Sequence, residues 1–304
     1  MKIIVFGGAG FLGSHVCDKL SDAGHDVVIY DIAPSHWLRP DQSIVLGDVL
    51  DEDAVSRAVE GAGAVFNFAG IADISEANVR PVDSVKYNIL GNTILLEACR
   101  RHSVNRYVFA SSVYVYSKSG GFYRCSKQAC EQYIESYRDA YGLEYTILRY
   151  GSLYGPRADG KNAIYRFVKE ALETGCITYY GTPDALREYI HVEDAALSSV
   201  EILKCEYANQ TFVLTGNRPM TVKNVLNMIA EMLGKEVKFV FNNDPSNTHY
   251  MITPYSFNPR LGKKMISLVQ IDFGQGVLHI IEDMHRELNP ELHNAGGYLL
   301  KDQS

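Results

Sequence analysis

Short apolar runs alternate with amphipathic stretches through the first half of the chain. Ile3-Ile4-Val5-Phe6, Val27-Val28-Ile29-Tyr30, Ile44-Val45-Leu46, Ala64-Val65-Phe66-Asn67, Tyr107-Val108-Phe109-Ala110 and Tyr145-Thr146-Ile147-Leu148 read as strands. They are almost continuously apolar and rich in β-branched residues, as strands covered on both faces are. Between them, Gly13 to Ala23 has a helical period, and so does the stretch from Pro81 to about His102, which opens on a good first helical residue. Repeated strand–helix–strand units predict an α/β chain with a doubly wound parallel sheet.

From about residue 160 the pattern loosens. Helical stretches are expected at Ala163–Thr174, Val192–Lys204, Thr221–Leu233 and Gly276–Leu288, separated by turn signals such as Gly181-Thr182-Pro183 and Asn242-Asn243-Asp244-Pro245. This predicts a first domain over residues 1–165 and a smaller mixed α/β domain over 166–304. The segment near 188–215 is a candidate to return to the first. The last dozen residues read as a loose tail.

Composition removes several function classes. The 304 residues are 46% hydrophobic and 21% charged, enough for a sizeable core. A net charge of -7 argues against a general nucleic-acid binder. No apolar run is long enough to span a bilayer, and Gly7 cuts the first one too early for a signal-peptide core. The 6 cysteines form no CxxC pair, so reduced thiols in a cytoplasmic protein are expected. The 9 histidines are scattered without an HExxH, and His279 and His285 lack a nearby cysteine set, so no metal site is expected.

Chemistry enters at two places. Gly7-Gly8-Ala9-Gly10-Phe11-Leu12-Gly13 joins the first strand to a helix, with GxxGxxG spacing from Gly7. Such glycines permit a tight turn and a close approach of backbone to a pyrophosphate at a helix N-terminus. Asp31 ends the second strand, where a carboxylate would accept from the adenosine ribose hydroxyls and repel a 2′-phosphate, favouring NAD; a solvated turn aspartate is the plainer reading. Asp48-Val49 follows the third strand, with Asp48 either near an adenine or capping the next helix. At the second place, Ser111-Ser112 closes the strand at Tyr107, and Tyr123 and Lys127 stand at i and i+4 on one helix face. A neighbouring ammonium lowers a phenol pKa that starts near ~10, making Tyr123 a usable base for an alcohol proton.

Taken in order, these motifs resemble the extended short-chain dehydrogenase/reductases of the nucleotide-sugar epimerase/dehydratase family. The likeness adds Asn67-Phe68-Ala69-Gly70, Asn88 with Gly91, Val115-Tyr116, Arg149-Tyr150, Tyr154-Gly155-Pro156-Arg157 and Arg187 through Asp194, and runs from residue 7 to about 194. It implies a Rossmann domain binding NAD and a smaller substrate-binding domain. It also implies roles. Ser112 would hydrogen-bond the reacting oxygen, Tyr123 would move its proton, and Lys127 would hold the nicotinamide ribose. Phe68, Ala69, Gly70 and Tyr150 would line the nicotinamide, with Asn88 also at the cofactor. Ser152 and Arg187 would meet the substrate, Arg187 clamping the diphosphate of an NDP-sugar or, alternatively, pairing with Glu188. His191 is expected to be a packed or capping histidine, and Cys125 a structural thiol.

Departures from the family pattern bear on the reaction. The dehydratases carry an Asp-Glu pair where this chain has Val113 and Tyr114, and the decarboxylases keep a glutamate at the position of Tyr114. The cysteine and histidine of the GDP-fucose synthase type are missing near Val113 and Ser152–Leu153. What remains is a Ser/Tyr/Lys set, sufficient for epimerisation, with C4 expected. The segment from Tyr116 to Tyr123 is shorter than usual, and Ser152 stands where the family has asparagine. An open site would favour an NDP-sugar dehydrogenase or reductase that releases or consumes a ketosugar. A non-catalytic NAD-binding protein is disfavoured by the intact Ser112, Tyr123 and Lys127. A homodimer through a four-helix bundle of Pro81–His102 and Tyr123–Tyr141 is expected from the family, with Tyr133, Tyr137 and Tyr141 as an aromatic stripe that could also pack internally.

Overall fold

The computed structural model describes residues 1–242, 249–254, 263–264 and 270–289. The tail expected over the last dozen residues lies outside them, as does Asn243-Asp244-Pro245 of the expected turn. The chain begins β1 (Lys2–Phe6), α1 (Phe11–Asp22), β2 (Asp26–Asp31), β3 (Gln42–Leu46), α2 (Glu52–Val59) and β4 (Ala64–Asn67). It continues with α3 (Ile74–Val79), α4 (Pro81–Asp83), a π-helical stretch Ser84–Leu90, α5 (Gly91–Arg101) and β5 (Arg106–Ser112). A 3₁₀ turn Val113–Tyr116 leads to α6 (Gly121–Tyr141), β6 (Tyr145–Tyr150) and β7 (Ser152–Tyr154). The remainder is α7 (Ala163–Thr174), β8 (Cys176–Tyr180), β9 (Leu186–His191), α8 (Val192–Glu201), β10 (Gln210–Leu214), β11 (Pro219–Thr221), α9 (Val222–Leu233), β12 (Lys238–Asn242), β13 (Lys263–Lys264) and α10 (Phe273–Leu288).

Among the described residues, eight strands form one parallel sheet in the order β13-β10-β6-β5-β4-β1-β2-β3. Five of the six apolar runs supply its centre because both faces are covered; the sixth, Ile44-Val45-Leu46, is instead the edge strand β3, and Val45 and Leu46 are exposed because no further described strand or helix packs over them. Ile4, Phe6, Val65, Tyr107, Phe109 and Ile147 point to one side, with Leu95 and Ile134 of α5 and α6 in the same cluster. Ile3, Val5, Ile29, Phe66, Val108 and Leu148 point to the other side, where Val16, Ala195 and Ala196 of α1 and α8 pack. The chain leaves β1 outward through β2 and β3, then crosses back to β4 on the other side of β1. That reversal opens a crevice at the carboxyl ends of β1 and β4, where open α/β sheets receive ligands.

A second core lies beyond the sheet. Ile164, Phe167, Val168, Ile177, Leu226 and Ile229 pack with Val277, Ile280 and Met284. Two small sheets border it, β11-β9-β7 and β12-β8. The pattern of residues 160 onward shows the helices but hides these strands, which are short and half-covered. The stretch from Pro81 to His102 is helical throughout, yet its middle widens into the π turn at Ser84–Leu90 that carries Asn88. Tyr137 of the aromatic stripe stacks on Tyr141 at 5.3 Å, and its hydroxyl donates to Glu97 of α5 at 3.4 Å, so part of that stripe packs internally. No described helix is long and apolar enough to cross a membrane.

Candidate active site

The turn between β1 and α1 is shaped by glycines that nothing larger could replace. Gly7 has φ +75°, and a Cβ there would lie 2.7 Å from Ala69 N. A Cβ at Gly13 would lie 2.2 Å from Gly7 O. The N-cap of α1 is Gly10, which offers no side-chain cap, so the first amides of a 12-residue helix face the crevice without one. Asp31 is more than a solvated turn residue. Its carboxylate accepts from Ala9 N at 3.0 Å and from Ala33 N at 3.2 Å, which ties the end of β2 to the glycine turn. Asp48 does not cap α2: its side chain accepts from Leu50 N at 2.9 Å, and the cap is Asp51, accepting from Ala54 N at 2.9 Å. Val49 is buried against Gly91, where a Cβ would meet it at 2.9 Å.

Gly7, Gly10, Gly13, Asp31, Asp48 and Val49 line a cavity of about 680 Å³, together with Phe11, Leu12, Phe68, Ala69, Gly70, Ser112, Tyr123, Lys127 and Tyr150. Asn88 stands behind the wall rather than on it. Its amide accepts from Ile71 N at 2.7 Å and donates to Ile71 O at 3.0 Å and Ser126 Oγ at 2.9 Å. It therefore sets the loop after β4, where Gly70 adopts φ +126° and a Cβ would meet Asn88 Oδ1 at 2.5 Å. Across the cavity, Lys161 Nζ and Glu76 Oε2 form an ion pair at 2.8 Å that spans 85 residues of sequence.

Ser112 ends β5, and its hydroxyl accepts from Tyr114 N at 3.3 Å, capping the 3₁₀ turn. Tyr123 and Lys127 lie on the buried face of α6 as their spacing predicts. Lys127 Nζ donates to Ala110 O at 2.7 Å and stands 5.8 Å from the centre of the Tyr123 ring. The electrostatics differ from the expectation that Lys127 lowers the phenol. Burial dominates and pushes Tyr123 up to about 12, against a hydrogen bond with Ser112 that pulls it down. Burial also lowers the Lys127 ammonium. Desolvation penalises both charged forms because α6 packs this face against β5 and β6, in the middle of the sheet, rather than in water.

Beneath this set runs a buried network that motif reading missed. Arg149 makes a two-pronged bond to Glu131, at 3.0 Å to Oε1 and 2.6 Å to Oε2, and donates to the Tyr116 hydroxyl. Ser111 Oγ donates to Glu131 Oε1 at 2.5 Å. The available signal was the helical spacing of Glu131, one turn beyond Lys127 on the same face. Arg149 was visible only as part of a motif.

Tyr150 lines the cavity and its hydroxyl is paired with Ser199 Oγ at 2.6 Å. Ser152 and Arg187 lie off the cavity wall. Ser152 Oγ is 3.5 Å from the Tyr250 hydroxyl. Arg187 is buried, donates to Leu186 O at 2.9 Å and stacks 4.4 Å from the centre of the Tyr250 ring. His191 caps α8 by accepting from Glu193 N at 3.4 Å, and burial holds it down at about 4. Cys125 is exposed.

The cavity fits a dinucleotide: a glycine cradle closed to any Cβ, uncapped helix amides at one end, and a carboxylate at the end of β2. Residues 3–214 match the family model described as the NAD dependent epimerase/dehydratase family. The chain belongs to that family. It is an NAD-dependent enzyme, and an extended short-chain dehydrogenase/reductase in fold. Among its relatives, an uncharacterized UDP-glucose epimerase of Bacillus subtilis is 28% identical over 282 residues, covering 82% of this chain and 88% of the relative. A dTDP-glucose 4,6-dehydratase of an Actinoplanes species is 24% identical over 317 residues, covering 92% and 97%. A solved UDP-glucose 4-epimerase from Thermotoga maritima, crystallised with UDP-glucose, superposes with a TM-score of 0.84 at 24% identity, covering 95% of this chain and 100% of that one.

Proposed function

We propose that this enzyme interconverts the C4 epimers of a nucleotide sugar. The observation that carries the reading is the convergence of Ser112, Tyr123 and Lys127 on one cavity with the glycine cradle, while positions 113 and 114 hold Val113 and Tyr114 instead of two carboxylic acids. When bound, NAD supplies the acceptor and donor of the hydride. Gly7, Gly10, Phe11, Leu12 and Gly13 would hold its pyrophosphate, Asp31 its adenosine ribose, and Asp48 with Val49 its adenine. Phe68, Ala69, Gly70 and Tyr150 would line the nicotinamide, Asn88 acting through the loop it fixes. Lys127 would hold the adjoining ribose.

Ser112 orients the C4 hydroxyl, and Tyr123 takes its proton as the carbinol becomes a ketone. The balance between burial and the Lys127 charge sets how readily Tyr123 does so. The 4-keto sugar turns within the site and is reduced on its opposite face, with Tyr123 returning the proton. Residues 166–304, apart from α8, β10 and β13, which belong to the large sheet and its cover, would form the substrate-binding domain. Arg187 would exchange its bond to Leu186 O for the diphosphate, and Ser152, which precedes that domain in the chain, would contact the sugar. A homodimer would bury the exposed Val82, Val85, Leu90, Tyr133 and Tyr141 of the two long helical stretches.

A panel of NDP-sugars tests the reading. Inversion at C4 without net NADH is expected; no reaction with any sugar, alongside tight NAD binding, would sink it. A second reading, release of the ketosugar by a dehydrogenase, draws on the brief connection of residues 117–120 between the 3₁₀ turn and α6. A free keto product or a stoichiometric NADH absorbance would favour it.

A further inference from the structure

The connection of residues 155–162 between β7 and α7 runs from the α1 side of the crevice to the α3 side. On the α1 side, His15 Nε2 donates to Pro156 O at 3.0 Å, and Arg157 pairs with Asp18 at 2.7 Å. The Arg157 guanidinium also lies 4.9 Å from the centre of the Trp37 ring. On the α3 side, Lys161 Nζ reaches Glu76 Oε2 at 2.8 Å, and both residues line the cavity. Phe11 and Leu12 of α1 line it from one wall, and Ala72 and Asp73, just before α3, from the other. Both feet of the connection are fixed. A Cβ at Gly155 would lie 2.8 Å from Val192 Cγ1, and Asn162 donates to Leu153 O at 2.8 Å while capping α7. Between the feet, Asp159, Gly160 and Lys161 are exposed.

The two ion pairs differ in their access to water. Arg157 and Asp18 are 19% and 18% exposed, whereas Lys161 and Glu76 are 65% and 29% exposed. Salt therefore screens the second pair more than the first. Glu76 keeps its place without Lys161, because its other oxygen accepts from Arg80 at 2.8 Å. We propose that residues 156–161 are a gate over the dinucleotide crevice, anchored at Arg157 and latched by the Lys161–Glu76 ion pair, whose opening releases the cofactor. The inference rests on the assignment of the cavity to NAD. A dinucleotide seated on the glycine turn and reaching Ser112 has to lie between the α1 and α3 walls that this connection joins. Its exit there requires Lys161 to part from Glu76 while Arg157 stays bound. An exposed ion pair favours the closed arrangement by a factor of only about 2–5, so opening is frequent and answers to ionic strength.

Release of NADH from the full-length protein, chased with excess NAD and followed by nicotinamide fluorescence, tests this. The wild-type release rate should rise about 2–5-fold between about 0.05 and about 0.5 M NaCl. Lys161→Met should release NADH at the fast rate already at the lower salt, and lose the salt response. Lys161→Arg should retain the wild-type rate and its salt response. Glu76→Gln should match Lys161→Met, and the double variant should be no faster than either single one, as coupled partners require. Hydrogen exchange in the NAD-free protein reads the gate itself: Lys161→Met should speed exchange at residues 158–161 and leave Arg157 unchanged. A salt-independent wild-type rate overturns the inference, as do exchange rates unaltered by Lys161→Met. Multiplied effects in the double variant overturn it too, since Lys161 would then hold the cofactor itself. Absence of NADH binding overturns the assignment of the cavity, and the inference with it.

Discussion

Replacing Gly13 with alanine tests the cofactor cradle most directly. The added Cβ would lie 2.2 Å from Gly7 O and 2.9 Å from Gly8 Cα, where real Cβ atoms essentially never come under 3.0 Å. The turn must therefore retreat by about 0.8 Å, the shortfall of the 2.2 Å approach to Gly7 O from that 3.0 Å limit. Gly7 is itself pressed against Phe68 and Ala69, each within 2.7 Å of its notional Cβ, so the crowding has no soft neighbour to absorb it. Overpacking of this kind costs roughly 1–3 kcal/mol of stability. If the displaced amides lose about 2.8 kcal/mol of contact with the pyrophosphate, NAD binding weakens on the order of 100-fold. At a concentration 100 times Kd, NAD stabilises the native protein by about 2.7 kcal/mol; with Kd raised ~100-fold, the same concentration gives about 0.4 kcal/mol. With about 2 °C per kcal/mol for a chain of this size, the rise in unfolding temperature on adding NAD should shrink from about 5 °C to about 1 °C. Calorimetric titration and thermal unfolding with and without NAD measure both quantities. A Gly13→Ala protein with wild-type Kd and a full NAD-induced shift would refute the assignment of this turn to the cofactor.

Three more outcomes follow from the same geometry. Arg149→Met leaves the Glu131 carboxylate buried and should cost about 3–5 kcal/mol, whereas Arg149→Met with Glu131→Met should recover most of it; equal unfolding temperatures for the single and double variants would contradict the buried pair. Tyr123→Phe should lower turnover by about 10²–10⁴ with NAD still bound, and because burial holds the phenol at about 12, the wild-type oxidation step should accelerate from neutral to alkaline pH; a flat profile would remove Tyr123 as the base. Burial raises the Asp194 carboxyl to about 6, so the folded chain retains a proton that the unfolded chain releases between about pH 4 and 6. This group's contribution to stability falls as pH rises through that window and stays low above it. Asp194→Asn should thus unfold at a higher temperature than wild type at pH 7.5, with the gap closing near pH 4; a constant gap would be evidence against the shift.

Much of the fold was legible because the sheet strands are buried on both faces. A strand such as Ile3–Phe6 has no alternative but an apolar run, and both of its faces are filled in the sheet. Strands β7, β8, β11 and β12 were not legible, since short, half-covered strands carry no run of that kind. The π turn at Ser84–Leu90 was also hidden, because the apolar spacing of a helix does not report one extra residue in a turn.

The site divides in the same way. Local chemistry belonged to the sequence: the glycines must turn within seven residues, and Tyr123 and Lys127 share a face because they are one helical turn apart. What the residues do to one another belonged to the tertiary structure. Burial, which depends on packing from distant elements, raises the Tyr123 phenol where the spacing to Lys127 alone predicted a lowered one, and the π turn sets Asn88 behind the wall. Contacts across 135 residues bring His249 to Tyr114, and across 85 residues Lys161 to Glu76. Spacing sets which side chains share an element; only the packing of elements sets which share a solvent-excluded space, and desolvation there decides their charge.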